Sequence, residues 1–111
     1  MNWIALTSED QLKEIRERSA QRPQVIFKHS TRCGISALAK SRLDKSNPSG
    51  DIDFYFLDLI NYRALSKKVA EEFNVYHESP QVLVIKDGQC IYDESHMGIT
   101  IDDILQHAHA A

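Results

Sequence analysis

One side chain in this 111-residue sequence stands out as a nucleophile: the thiol of Cys33, in the stretch Ser30-Thr31-Arg32-Cys33. Gln24 to Lys28, just upstream, is a short apolar run after Pro23 that predicts a buried strand. From Ile35 the period changes. Ile35, Leu38, Ala39 and Leu43 recur three and four apart, as on the inner face of an amphipathic helix. The polar turn between strand and helix therefore puts Cys33 at the helix's first turn. Unpaired backbone N–H groups and the positive end of the helix dipole favour a thiolate over a thiol there, and Arg32 adds a neighbouring positive charge. A cysteine can also fill a core as a small hydrophobe. This one follows a charged residue in a polar turn and lies off the apolar stripe, which points to a reactive thiol.

The elements that must hold this turn follow from the rest of the chain. Asn2 to Leu6 predicts a short edge strand. Thr7 and Ser8, with Asp10 and Gln11, make two overlapping capping-box patterns ahead of a helix that should reach about Ala20 and bury Leu12 and Ile15. Asp44 to Gly50 is dense in turn formers. Ile52 to Leu57 reads as a mostly buried strand, and Asn61 can cap a helix with Tyr62, Leu65, Val69 and Phe73 on its inner face. Gln81 to Lys86 and Gln89 to Asp93 flank Asp87-Gly88, a strong two-residue hairpin signal. Cys90 alternates with Ile91 and Tyr92 on the second of these strands and reads as a buried structural residue. Thr100 caps a final helix with Ile101, Ile104, Leu105 and Ala108 as its apolar stripe.

The predicted architecture is a single α/β domain over residues 1–111, in the order βαβαβαββα, with a mixed central sheet flanked by helices. That is the thioredoxin order. In it the loop before the hairpin, Glu78-Ser79-Pro80-Gln81, meets the cysteine. Pro80 is expected to be cis, with the backbone of Ser79 free to pair with an extended substrate.

Composition narrows the functional classes. Hydrophobic residues at 42% and charged ones at 26% are ordinary for a globular protein. A net charge of −3 leaves no nucleic-acid footprint. No apolar run approaches the ~20 residues that span a bilayer, and the amino terminus turns acidic too early for a signal peptide. Two distant cysteines do not resemble a secreted disulfide framework, so a reducing cytoplasm is expected. His107 and His109, two apart, face different sides of a helix and make a poor metal pair; no metal site is expected.

Lys28-His29-Ser30-Thr31-Arg32-Cys33-Gly34-Ile35-Ser36, His77-Glu78-Ser79-Pro80-Gln81 and Ser95-His96-Met97-Gly98-Ile99-Thr100 together resemble the monothiol bacilliredoxins, also called bacillithiol system redox-active YtxJ proteins. Gly34 stands where family members often carry proline, a residue pre-organised for the first helical position. The resemblance implies a thioredoxin fold and removal of bacillithiol from S-bacillithiolated client proteins. Bacillithiol would be a co-substrate, no cofactor would be tightly bound, and a dedicated disulfide reductase is a further expected partner. Cys33 would form a mixed disulfide. Ser36, where a dithiol enzyme has its second cysteine, can donate a hydrogen bond to the sulfur but cannot form a disulfide. Because bacillithiol carries carboxylates, the site should offer cations, first Arg32 and then Lys28. Thr31, Gly34, Ser79 and Pro80 complete the expected substrate-binding set.

Two other functions fit parts of the pattern. Cys33-Gly34-Ile35-Ser36 also resembles the motif of monothiol glutaredoxins that carry an iron–sulfur cluster, although Asp93 to Gly98 lacks their glycine pair. A non-catalytic thioredoxin-fold binding domain is the third reading.

Overall fold

The computed structural model describes residues 1–48 and 50–110; Ser49, within the turn expected at Asp44 to Gly50, and Ala111 lie outside the described residues. The strands are β1 (Trp3–Ala5), β2 (Gln24–His29), β3 (Asp53–Asp58), β4 (Gln81–Lys86) and β5 (Gln89–Ser95). The helices are α1 (Glu9–Arg18), α2 (Gly34–Asp44), α3 (Arg63–Phe73) and α4 (Ile101–Ala108), with a single 3-10 turn at His96–Gly98. The five strands form one mixed sheet in the order β1-β3-β2-β4-β5. β1, β3 and β2 run parallel, and β4 runs antiparallel to β2 and β5. The βαβαβαββα order is as the sequence predicts.

β2 is the central strand, and all six of its residues are buried. A strand covered on both faces favours an unbroken apolar run, here Val25, Ile26 and Phe27, which accounts for its departure from simple alternation; its polar ends, Gln24, Lys28 and His29, are buried too. Its pleat sends Val25 and Phe27 into a core with Ala39 and Leu43 of α2 and Ile104 and Ala108 of α4. Ile26 points the other way, against Leu12 and Ile15 of α1 and Leu65, Val69 and Phe73 of α3. Lys28 therefore belongs to the α1/α3 side of the sheet and His29 to the α2/α4 side.

The caps explain where the helices begin. Ser8 is the N-cap of α1, and Gln11 Oε1 accepts its backbone N–H at 3.1 Å. The helix stops at Arg18, slightly short of Ala20. Thr100 Oγ1 accepts the Asp103 N–H at 3.2 Å and starts α4 as expected. α3 differs: its N-cap is Tyr62, while the Asn61 amide donates to Asp58 Oδ2 at 2.7 Å. Asp87 and Gly88 both hold positive φ (52° and 78°), the geometry of a two-residue hairpin turn.

α2 corrects the expected stripe. Its buried residues are Ser36, Ala39 and Leu43, while Ile35 and Leu38 are 42% and 43% exposed. The helix is rotated about one position from the face that hydrophobicity alone selects, because a polar side chain, Ser36, finds partners inside.

Candidate active site

β2 ends at His29, and the chain turns through Ser30, Thr31 and Arg32. The turn closes on Ser30, whose carbonyl accepts the Cys33 N–H at 3.2 Å and whose Oγ accepts the Arg32 N–H at 3.4 Å. Cys33 is the N-cap of α2: its backbone is extended (φ −113°, ψ 118°) and its carbonyl accepts the Ala37 N–H at 3.0 Å. The N–H groups of the first turn, those of Gly34, Ile35 and Ser36, are open at this position, and the Cys33 side chain takes no cap hydrogen bond from them. The Cys33 thiol is free and partly exposed.

Ser36 is fully buried beneath this turn. Its Oγ accepts the Ser30 N–H at 3.0 Å and lies 2.6 Å from His29 Nδ1. With one proton and two lone pairs, the hydroxyl satisfies the Ser30 N–H and His29 Nδ1 together, its role toward Nδ1 being set by the His29 tautomer. Burial, then the nearby charge of Lys40, lowers the His29 pKa below the ordinary histidine value, in keeping with a neutral ring. The hydroxyl that the sequence suggested for the Cys33 sulfur is thus turned to His29 and Ser30. It braces the turn from below.

Thr31, Arg32 and Gly34 are exposed around the thiol. Thr31 does not cap α2, since Cys33 itself holds that position. No ion pair among the described residues involves Arg32. Lys28 is different. It is fully buried, and its Nζ lies 3.2 Å from His77 Nδ1, with Ser66 Oγ of α3 3.3 Å from the same nitrogen. The expectation that Lys28 meets a substrate carboxylate is therefore corrected: strand alternation turns it beneath α3 and encloses it. Burial lowers its pKa to about 8.

The Ser79–Pro80 peptide bond is cis. Lys28 pairs with Gln81 across β2 and β4, so Pro80 lies level with His29 at the sheet end where Cys33 emerges. The Pro80 carbonyl accepts the His96 N–H at 3.0 Å, and the turn His96–Gly98 packs against α2. Three segments far apart in sequence, 30–36, 78–81 and 95–98, thus meet at one end of the sheet. Ser79 Oγ is buried there without a hydrogen-bond partner. Met97 is 57% exposed, and with Ile35 and Leu38 it gives this end an apolar surface.

Cys90 lies at the opposite end. It pairs with Ile85, which pairs with Gln24, so it is level with the start of β2. The five strand steps from Gln24 to His29 alone span roughly 16 Å, against Cα separations of about 4.4–6.8 Å across a disulfide. The Cys90 thiol donates to the Tyr92 carbonyl at 3.3 Å, packs against the α1/α3 core, and is pushed up to about 11 by burial.

Sequence reasoning placed His77, Gln81 and His96 within the quoted motifs but gave none of them a role. For Gln81 a signal existed, a polar residue opening an otherwise apolar strand. For the other two, only the folded register identifies the neighbours.

A family model described as monothiol bacilliredoxin BrxC matches residues 4–104. Among solved structures, the chain is similar to a protein with a thioredoxin fold proposed to be an oxidoreductase: identity is 33% and the TM-score 0.81, over 96% of this chain and 93% of that one. It is also similar to thioredoxin Mala s 13 of Malassezia sympodialis, at 21% identity and a TM-score of 0.77, over 96% of this chain and 91% of that one. Mitochondrial thioredoxin 3 of Saccharomyces cerevisiae matches at 21% identity and a TM-score of 0.69, over 96% and 92% respectively. These last two bear on the fold alone.

Proposed function

The chain belongs to the monothiol bacilliredoxin family, and from that premise we propose that it removes bacillithiol from S-bacillithiolated proteins through a mixed disulfide on Cys33. The observation that carries this reading is the placement of the two sulfurs. Cys33 caps a helix at the surface, Ser36 occupies the position three residues on, and Cys90 sits at the far end of the sheet.

The steps balance as two exchanges. The Cys33 thiolate attacks the bacillithiol sulfur of the client's mixed disulfide; a Cys33–bacillithiol bond forms, the old S–S bond breaks, and the client leaves as a thiolate. A second bacillithiol thiolate then attacks the same small-molecule sulfur. It departs as bacillithiol disulfide and frees Cys33 for another cycle, and a separate reductase regenerates the small thiol. During attack the open N–H groups of Gly34, Ile35 and Ser36 face the sulfur. With Lys28 enclosed, Arg32 is the cation beside the thiol for a substrate carboxylate. The Ser79 backbone pairs with the client on the other side. The whole chain acts as one domain, and a reducing cytoplasm suits its two free thiols.

The test is turnover of a peptide carrying bacillithiol in mixed disulfide, with free bacillithiol as second substrate. Release of the peptide thiol should vanish in Cys33→Ser and persist in Cys90→Ser. Equal loss of turnover in both variants, each still folded, would overturn the monothiol scheme.

A further inference from the structure

Two buried polar side chains in the sheet serve no part of the exchange chemistry described above. Lys28 and Gln81 are direct partners in the antiparallel register of β2 and β4, and both are fully buried. Both reach the same short segment. Lys28 Nζ meets His77 Nδ1 at 3.2 Å. Gln81 Nε2 donates to the Tyr76 carbonyl at 2.9 Å, and Gln81 Oε1 accepts the Glu78 N–H at 3.3 Å. Three consecutive residues, Tyr76, His77 and Glu78, are thus each tied to this cross-strand pair. The next residues are Ser79 and Pro80, which stand at the thiol end of the sheet.

We propose that Lys28 and Gln81 are positioning residues, a two-pronged clamp on segment 76–78 that holds the Ser79 backbone in place for a polypeptide substrate. The proposal rests on the reading of Cys33 as the exchanging thiol. The chemistry is specific to these side-chain types. An ammonium donates to a ring nitrogen only if that nitrogen is unprotonated, so the clamp needs neutral His77 with its proton on Nε2. Gln81 supplies a donor and an acceptor from one amide, matching a carbonyl and an N–H two residues apart. An aliphatic side chain at position 28 would fill the same space without burying a charge. The local sequence therefore departs here from what packing alone favours, as is expected where position matters more than stability.

The clamp acts on substrates that extend past the disulfide and leaves the thiol itself alone. Two measurements separate it from a general loosening of the fold. The first is amide hydrogen exchange at His77, Glu78 and Ser79. The second is the KM for a thiolated peptide, set against the rate at which Cys33 reacts with a small disulfide. In His77→Leu the three amides should exchange about tenfold faster and the peptide KM should rise about tenfold, the equivalent of one charge-assisted hydrogen bond. The small-disulfide rate should stay within about twofold of the native protein on the same scale. His77→Asn, whose Oδ1 can take the place of Nδ1 as acceptor, should restore both. Native amide exchange and native KM in His77→Leu overturn the proposal, as does an Asn variant no better than the Leu one. If Cys33 reacts with no small disulfide, the exchange reading fails, and the amide measurement alone decides the clamp.

Discussion

Truncating Ser36 to alanine should injure the fold before it injures the chemistry. The change leaves the buried Ser30 N–H and His29 Nδ1 without their partner, a loss of about 1–3 kcal/mol. The denaturant midpoint should fall accordingly while Cys33 remains reactive; an unchanged midpoint would contradict the bracing role. The two thiols should also separate cleanly on alkylation at pH 7. Cys33 is labelled in the folded chain, whereas Cys90, partly enclosed and pushed up to about 11, is labelled only after unfolding. Peptide mapping with and without denaturant reads both, and label on native Cys90 would count against its placement. At this scale the sequence was informative about Cys33, because a polar turn between two periodic segments has few uses. It was uninformative about Lys28, since a cation near a strand end looks the same whether it faces water or the underside of a helix.

The helix carrying the thiol offers a test of its own start. Cys33 is already extended, as the residue before a proline must be. Gly34 holds the first helical position, and a Cβ there would meet nothing within 4 Å. Gly34→Pro should therefore stabilise the chain by about 0.4–1 kcal/mol, through a less flexible unfolded state. A lower melting temperature would show that the turn needs the freedom of glycine. On the same helix, Leu38→Ser should change stability by less than about 0.5 kcal/mol because Leu38 is half exposed. Leu43→Ala should cost about 2–5 kcal/mol. The helix itself was legible from its period, but its buried face was not. Hydrophobicity chose Ile35 and Leu38, whereas the fold chose Ser36, whose partners His29 and Ser30 come from the preceding strand and turn. Periodicity within one element cannot register a partner supplied by another.

Across the whole molecule, the element order was readable, since helix periods, caps and the Asp87-Gly88 hairpin turn are local signals. The convergence of segments 30–36, 78–81 and 95–98 is a product of strand register, which no local signal encodes. The buried ammonium of Lys28 makes the enclosure of the sheet measurable as a pH dependence. Its pKa is about 8 in the fold against 10.5 for the free side chain. Below pH 8 both states hold the proton and the fold bears the burial penalty. Between 8 and 10.5 the unfolded chain holds more protons than the folded one, so this group adds stability as pH rises. A depression of this size is worth roughly 3 kcal/mol. Lys28→Met should be more stable relative to the native chain at pH 7 than at pH 10. Cys90 pulls the opposite way above about pH 9 but does so in both proteins and cancels in the comparison. A stability gap that ignores pH would mean that Lys28 is solvated.

The proposed exchange depends most on a single thiol that works without a second cysteine in reach. The direct measurement is intact mass and peptide mapping of the reduced, folded chain after exposure to oxidised bacillithiol at pH 7. The predicted result is one bacillithiol adduct, on Cys33, with Cys90 still a free thiol. A folded monomer that instead loses two hydrogens and yields a Cys33–Cys90 bridge would contradict it.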